Sequence, residues 1–193
     1  MSTALPPAPD ELVVDLSTNL TSWADFDGLL EWQIGVAVVD HDAFTAGEEL
    51  RTRIGSGIAY TMSRELIESS DAFAALDDID ASTDGCVARA LFDNESSWEA
   101  LQELLDEPFL GPLVYVDYLS IEPEHRGKGY GIGTMVHLLR SYRALGVNLA
   151  VCYPGPSEHR EGVSRDAAVH ALQRHWSSLG FRPFRDGVFV FAL

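Results

Sequence analysis

Apolar and polar positions follow two different periods along this 193-residue chain. Runs of β-branched and aromatic residues predict strands. Trp32 to Val39 predicts a buried strand, and residues 12–16 a short one before it. Asp40 to Glu49 reads as a polar connection or a single helical turn. Arg51 to Met62 alternates loosely and predicts an antiparallel neighbour, with a bulge at Gly55 and Gly57. From residue 63 to 107 the spacing becomes helical. Ser63 precedes Arg-Glu-Leu-Ile-Glu in an N-cap pattern, and Asp71 to Leu76 is apolar on one side. Thr83 or Asp84 is placed to cap Cys86–Phe92, and Ser97 to cap Trp98–Leu105. Trp98, Leu101, Leu104 and Leu105 share one face of that last helix. Pro108, Gly111 and Pro112 then break the chain.

The remaining third has a clearer rhythm. Leu113 to Ile121 predicts a strand, and Ile132 to Leu145 a helix with a stripe of Ile132, Met135, Val136, Leu139 and Tyr142. Gly146 suits the position just past a helix end. Val147 to Tyr153 predicts another buried strand, closed by Pro154-Gly155-Pro156, and a polar loop runs on to about Ser164. Ser164, with Asp166 in the first turn, starts a helix to Leu179 with Val169, Leu172, Trp176 and Leu179 on one stripe. Gly180 stops it. Two apolar runs, Phe181–Arg185 and Val188–Leu193, flank Asp186-Gly187, a strong hairpin signal.

The most informative stretch lies between the strand at 113–121 and the helix after it. Arg126-Gly-Lys-Gly-Tyr-Gly-Ile-Gly133 alternates glycine with other residues and carries two cations. Glycine admits positive φ and close approach to the backbone. A helix start adds unpaired N–H groups and the positive end of the helix dipole. Together they predict a site for a phosphorylated ligand. A P-loop is excluded because Lys128 sits among the glycines rather than after them. A dinucleotide fingerprint is excluded because the glycines at 127, 129, 131 and 133 are each two apart.

Arg-x-x-Gly-x-Gly after an apolar strand, within Ile121-Glu-Pro-Glu-His-Arg-Gly127, resembles the acyl-CoA loop of the GNAT superfamily of N-acyltransferases. Trp176-Ser-Ser-Leu-Gly180-Phe181 resembles a second feature of that family, the helix exit Tyr-x-x-x-Gly-Phe. The resemblance implies an α/β (α+β) fold in which a mixed central sheet splays around the cofactor arm and is flanked by helices. The N-terminal half departs from the family, because its helical candidates crowd directly before the cofactor strand instead of between the first two strands. Acetyl-CoA, or another acyl-CoA, is the implied co-substrate, with no metal. The backbone of Leu119, Ser120 and Ile121 would bind the pantetheine arm, and the N–H groups from Arg126, Gly127, Lys128, Gly129, Tyr130 and Gly131 the pyrophosphate. Ile132, Gly133 and Thr134 start the helix beneath it.

Catalytic groups are less defined. Asp117 is an acid in an otherwise buried strand, and counting by two it shares a face with Leu119 and Ile121. It is the candidate general base, with Glu122 and Glu124 as weaker ones. Where the family often places a tyrosine proton donor, this chain has Trp176, which suits the core better. His175 and Tyr153 are the alternative donors. His125 stands beside the loop, and His41, His137, His159 and His170 show no metal-ligand spacing.

Composition refines this picture. Residues 1–10 read as a proline-rich flexible arm, and residues 11–193 as a single domain with an acidic, partly helical half (11–107) and an acyl-CoA-binding half (108–193). Cys86 and Cys152 make no disulfide framework and are expected to be reduced and buried. Neither a signal peptide nor a bilayer-length apolar run is evident, so a cytoplasmic location is expected. The net charge of −17 argues against nucleic-acid partners. Residues 1–107 carry a net −19 and residues 108–193 a net +2. That split fits a polyanionic cofactor in the second half and a cationic amine acceptor drawn by the first. A bias of the whole proteome would give the same split; Lys128 is the only lysine. The edge of the terminal hairpin would support a homodimer. The expected activity is N-acetyl transfer to an amine of a small molecule or peptide. The alternatives are a non-catalytic GNAT-fold module that binds CoA or a protein partner, and an unrelated phosphate binder.

Overall fold

A computed structural model describes residues 9, 11–19, 26–40, 50–79, 85–93, 95–106, 111–155 and 164–193. Seven strands form one sheet in the order β1-β2-β3-β4-β5-β7-β6. They are β1 (Leu12–Asn19), β2 (Leu29–Asp40), β3 (Leu50–Met62), β4 (Leu113–Ile121), β5 (Leu149–Cys152), β6 (Arg182–Pro183) and β7 (Phe189–Ala192). Every pairing is antiparallel except β4 with β5. Among the described residues, four helices, α1 (Arg64–Ile67), α2 (Ala72–Ile79), α3 (Cys86–Phe92) and α4 (Glu95–Leu105), lie between β3 and β4. Helix α5 (Tyr130–Ala144) connects β4 to β5, and α6 (Arg165–Ser178) follows β5. The order after residue 113 is therefore the one the resemblance implies: strand, loop, helix, strand, helix, hairpin.

The sheet separates two cores. On one face, β3, β4, β5 and β7 pack Met62, Leu113, Tyr115, Val151 and Val190 against Leu76, Val87, Leu91 and Leu101 of α2, α3 and α4. On the other face, Leu12, Ile34, Val36, Val114 and Val116 pack against Met135, Leu138, Leu139 and Tyr142 of α5. Burial of large apolar side chains at roughly 25 cal/mol per Å² is what holds each layer on the sheet.

Local sequence explains most element ends. The Ser63 hydroxyl accepts from the Leu66 N–H at 3.2 Å and caps α1. The Ser164 hydroxyl accepts from the Ala167 N–H at 3.2 Å and caps α6. Gly146 takes φ 84°, its N–H donates to the Arg143 carbonyl, and the Val147 N–H donates to the Tyr142 carbonyl. That pair of bonds is a Schellman stop. Asp186 and Gly187 both adopt positive φ within a three-residue turn, 185–187, that the Phe184 N–H closes on the Val188 carbonyl.

Several expectations need correction. Helix α4 begins at Glu95, so Ser97 lies inside it, buried, and accepts a 2.8 Å hydrogen bond from Arg185 Nη1 instead of capping. Gly85 occupies the cap position of α3 without a side-chain cap; Thr83 and Asp84 lie outside the described residues. Helix α5 starts two residues early, at Tyr130, and β5 is confined to Leu149–Cys152. The β3 irregularity falls at Ile54, which has no partner between Val36↔Gly55 and Ala37↔Arg53. Gly55 and Gly57 serve close packing instead: a Cβ at Gly57 would sit 2.5 Å from the Tyr118 carbonyl oxygen, and one at Gly55 would collide with that of Ser120. Cys152 is buried, but Cys86 is only half-buried. The arm (apart from Pro9), residues 41–49 and the loop at 156–163 fall outside the described residues.

Candidate functional site

Strand β4 outruns its neighbour. It pairs with β5 only from Leu113↔Leu149 to Val116↔Cys152. On its other side it stays on β3 as far as Gly55↔Ile121. Residues 117–121 therefore present an edge toward β5 that has no strand partner among the described residues. The chain itself ends β5. After Tyr153, Pro154 offers no N–H, and the Gly155 N–H folds back to the Tyr153 carbonyl at 2.8 Å. The result is a wedge between two neighbouring parallel strands.

A β-bulge marks the apex of this wedge. Ile58 pairs with Tyr118 and Ala59 with Val116, so Asp117 is the extra residue. The bulge shifts the alternation by one. Leu119 and Ile121 pack with Val114 and Val116 on the α5 face. Asp117 does not share their face, contrary to the count by two. Its Oδ1 accepts a 3.0 Å hydrogen bond from the Tyr115 hydroxyl, on the opposite face. Burial raises the Asp117 pKa above the usual carboxylate range, and the Tyr115 hydrogen bond works against that rise. Tyr115 stacks on Tyr60 of β3, with ring centroids 6.4 Å apart and planes 22° apart. Burial first, then the charges of Glu31 and Asp117, push the Tyr60 phenol up to about 12. Glu31 reaches this strip because β2 pairs Glu31 with Tyr60.

Beyond Ile121 the chain makes a 3-10 turn at Pro123–His125 and enters the glycine loop. Arg126 folds back, and its Nε donates to the Ile121 carbonyl at 2.6 Å. Gly127 and Gly129 take φ 79° and 84°, and a Cβ at either would meet nothing within 4 Å. The N–H groups of residues 127–132 have no backbone partner among the described residues; the first α5 bond runs from the Gly133 N–H to the Gly129 carbonyl at 2.9 Å. Six donors without a backbone partner among the described residues thus gather at a helix start, the first three on exposed residues that include Lys128.

The four alternating glycines do different work. Gly131 lies in the first turn of α5, and its added Cβ would make an ordinary 3.9 Å contact with Ile121. Gly133 is a packing glycine: a Cβ there would come 2.7 Å from both Leu12 and Pro9. Thr134 is fully buried and donates its hydroxyl to the Tyr130 carbonyl at 2.8 Å. Ile132 is half-buried against the α5-face core. The Tyr130 hydroxyl donates to Glu11 Oε1 at 3.3 Å, tying the loop to the start of β1.

The two candidate donors are not brought together. Tyr153 stands half-buried at the far lip of the wedge and packs on the Tyr115 face. His175 is exposed on α6, edge-on to Trp176 at 6.0 Å, and Trp176 packs on the opposite face. The sheet lies between them. Glu122 and Glu124 are exposed, and with the half-buried His125 they bring one ligand atom each to within 4.8 Å of one another. His41 and His159 lie outside the described residues. His170 lines an open groove of about 660 Å³ with Arg174, Ser177, Pro183 and Phe184, which contains no residue of the wedge or loop. Tyr60, Tyr115 and Glu31 escaped the sequence reading. Their signal is faint: phenols and an acid within otherwise apolar strands.

No family model matches this chain, and no curated protein does. Among solved structures it is similar to an agmatine N-acetyltransferase mutant in apo form, at 16% identity over 83% of this chain and 76% of that one, with a TM-score of 0.44. It is similar to Arabidopsis thaliana NAA60 in complex with acetyl-CoA, at 14% identity over 83% and 76%, with a TM-score of 0.44. It is also similar to AtaT complexed with acetyl-methionyl-tRNA, at 13% identity over 94% of each chain, with a TM-score of 0.42. At these levels the likeness carries no argument about function, and the wedge and loop must be read on their own geometry.

Proposed function

We propose that this protein is an acetyl-CoA-dependent N-acyltransferase. One observation carries the reading: a strand edge, residues 117–121, with no strand partner among the described residues runs directly into a loop whose N–H groups 127–132 have no backbone partner there either. An extended, amide-bearing arm ending in a pyrophosphate would satisfy both halves of that surface. Leu119, Ser120 and Ile121 would hydrogen-bond the arm in the manner of an added strand. Gly127 to Gly131, with Lys128, would hold the pyrophosphate.

Bound acetyl-CoA would supply an activated acyl carbon. Asp117 then takes a proton from the acceptor amine as the new N–C bond forms and the C–S bond breaks, leaving the electron pair on sulfur. Tyr153, on the same face as Asp117, is better placed than His175 to return a proton to that sulfur. Orientation in the wedge supplies much of the remaining rate. The acceptor class follows from the chemistry: a nucleophilic amine on a small molecule or peptide.

Calorimetry with acetyl-CoA tests the reading. Binding is expected, and Gly129→Glu should weaken it by at least about 100-fold with the circular dichroism unchanged. A carboxylate there clashes with bound phosphate, and a side chain strains a φ of 84°. No heat from the native chain at high micromolar acetyl-CoA would end the proposal. A panel of diamines, arylalkylamines, peptides and aminoacyl-tRNA, read by thiol release, then identifies the acceptor and tests the exclusion of nucleic acid.

A further inference from the structure

We propose that Tyr115 is a positioning residue that aims the Asp117 carboxylate into the β4–β5 wedge and sets the pH at which transfer begins. The inference rests on the transferase reading above. Asp117 is the extra residue of a bulge, so its backbone is less constrained than that of its ladder-paired neighbours. Its hydrogen bond from Tyr115 holds its side chain. Tyr115 is able to fix it because Tyr115 itself is fully buried and stacked on Tyr60. A phenol two residues from a carboxylate normally shares its strand face. Here the bulge preserves that relation for Asp117 while transferring Leu119 and Ile121 to the other face.

The surroundings make this hydrogen bond decisive. From β3, Tyr60 faces the carboxylate; from β2, Glu31 faces Tyr60; beyond β5, Tyr153 packs on the same face. None of these groups brings a positive charge. The helices on this face supply apolar side chains, such as Leu76 and Leu101. Within that setting the hydroxyl of Tyr115 is what favours the ionised carboxylate, against a burial that opposes it. A base must be ionised to take a proton, so removing the hydroxyl moves the onset of activity to higher pH.

The test is the pH profile of kcat for the full-length chain, with acetyl-CoA and the most active amine of the panel. Tyr115→Phe is expected to move the acidic limb upward by about one pH unit, a roughly tenfold loss of rate on that side. The dissociation constant for acetyl-CoA should stay within about twofold, and part of the rate should return on the plateau, the remaining deficit measuring the lost aim of the carboxylate. An unmoved limb in a folded, active Tyr115→Phe variant overturns the role of Tyr115 and leaves the transferase reading intact. No thiol release from the native chain with any acceptor overturns both. Should Tyr115→Phe fail to fold, a carbon-13 titration of the Asp117 carboxyl in the native chain decides. Coincidence with the acidic limb supports the proposal, and separation by more than about one unit overturns it.

Discussion

Asp117 is kept in the fold at some thermodynamic cost. A group whose folded pKa is raised binds its proton more tightly in the native state than in the unfolded chain. Stability is therefore gained as the pH falls through the folded value and lost as the pH rises above the unfolded one. At neutral pH the ionised carboxylate works against folding. Asp117→Asn should raise stability there by about 1 kcal/mol, allowing for solvent screening of a half-buried group, and should abolish transfer. Urea melts at pH 7 and pH 4 check this. The variant's advantage should shrink at the lower pH, and no gain at pH 7 would show that Asp117 is fully compensated. That an acid stood out in β4 was legible in the sequence. Its orientation was not, because the bulge arises from register against Ile58 and Ala59, some sixty residues earlier.

Elements meet in ways that local signals do not record. Ser97 looks like a helix cap from its neighbours alone, yet α4 starts at Glu95 and the hydroxyl is used by Arg185 from the terminal hairpin. Arg185 Nη2 also donates to the Ser96 carbonyl at 3.1 Å, and its guanidinium lies over the Phe184 ring at 5.6 Å. One side chain thus clamps the β6–β7 turn to the first turn of α4. Arg185→Ala should cost about 1–3 kcal/mol, since it removes two hydrogen bonds to α4 and the contact with the Phe184 ring. Chemical denaturation measures the loss, and hydrogen exchange should report faster opening at α4 and the hairpin together. The strands, the Schellman stop and the Asp-Gly turn were readable because each rests on residues a few positions apart. The wedge was readable only through resemblance. Its cause, early termination of β5 relative to β4, depends on two chain segments compared with one another.

At the scale of the molecule, charge and architecture divide along different lines. The acidic excess belongs to the first half of the sequence, while the wedge, between β4 and β5 of the second half, is flanked on its β4 side by β3 and β2 of the first. Acidic β2 and phenolic β3 therefore reach the site from the half that carries the net −19. Cationic acceptors should be preferred over neutral ones of similar size by about tenfold in kcat/KM at low salt, with the preference shrinking toward unity above about 0.5 M salt. Steady-state kinetics across ionic strength check it; equal use of neutral and cationic amines at low salt would assign the charge to solubility alone. No helix among the described residues is long and apolar enough to cross a membrane. The hairpin edge expected to support a dimer is short: β6 is two exposed residues, and Pro183 withholds one of its N–H groups.

The contact between Gly133 and the Pro9–Leu12 segment has a consequence in time. Residue 133 must accept Pro9 and Leu12 closely enough that even a methyl group would intrude, and Tyr130 reaches Glu11 across 119 positions. During synthesis, Glu11 and Leu12 can pair with β2 early, through Leu12↔Val38 and the Val39 N–H on the Glu11 carbonyl, but they meet Gly133 and Tyr130 only once α5 has left the ribosome. The anion loop is thus fastened to the N-terminal strand in a late step that closes a very long loop. A nascent chain halted before α5 would hold most of the acidic half without its phosphate loop in place, so acetyl-CoA binding would report only on chains that have passed α5.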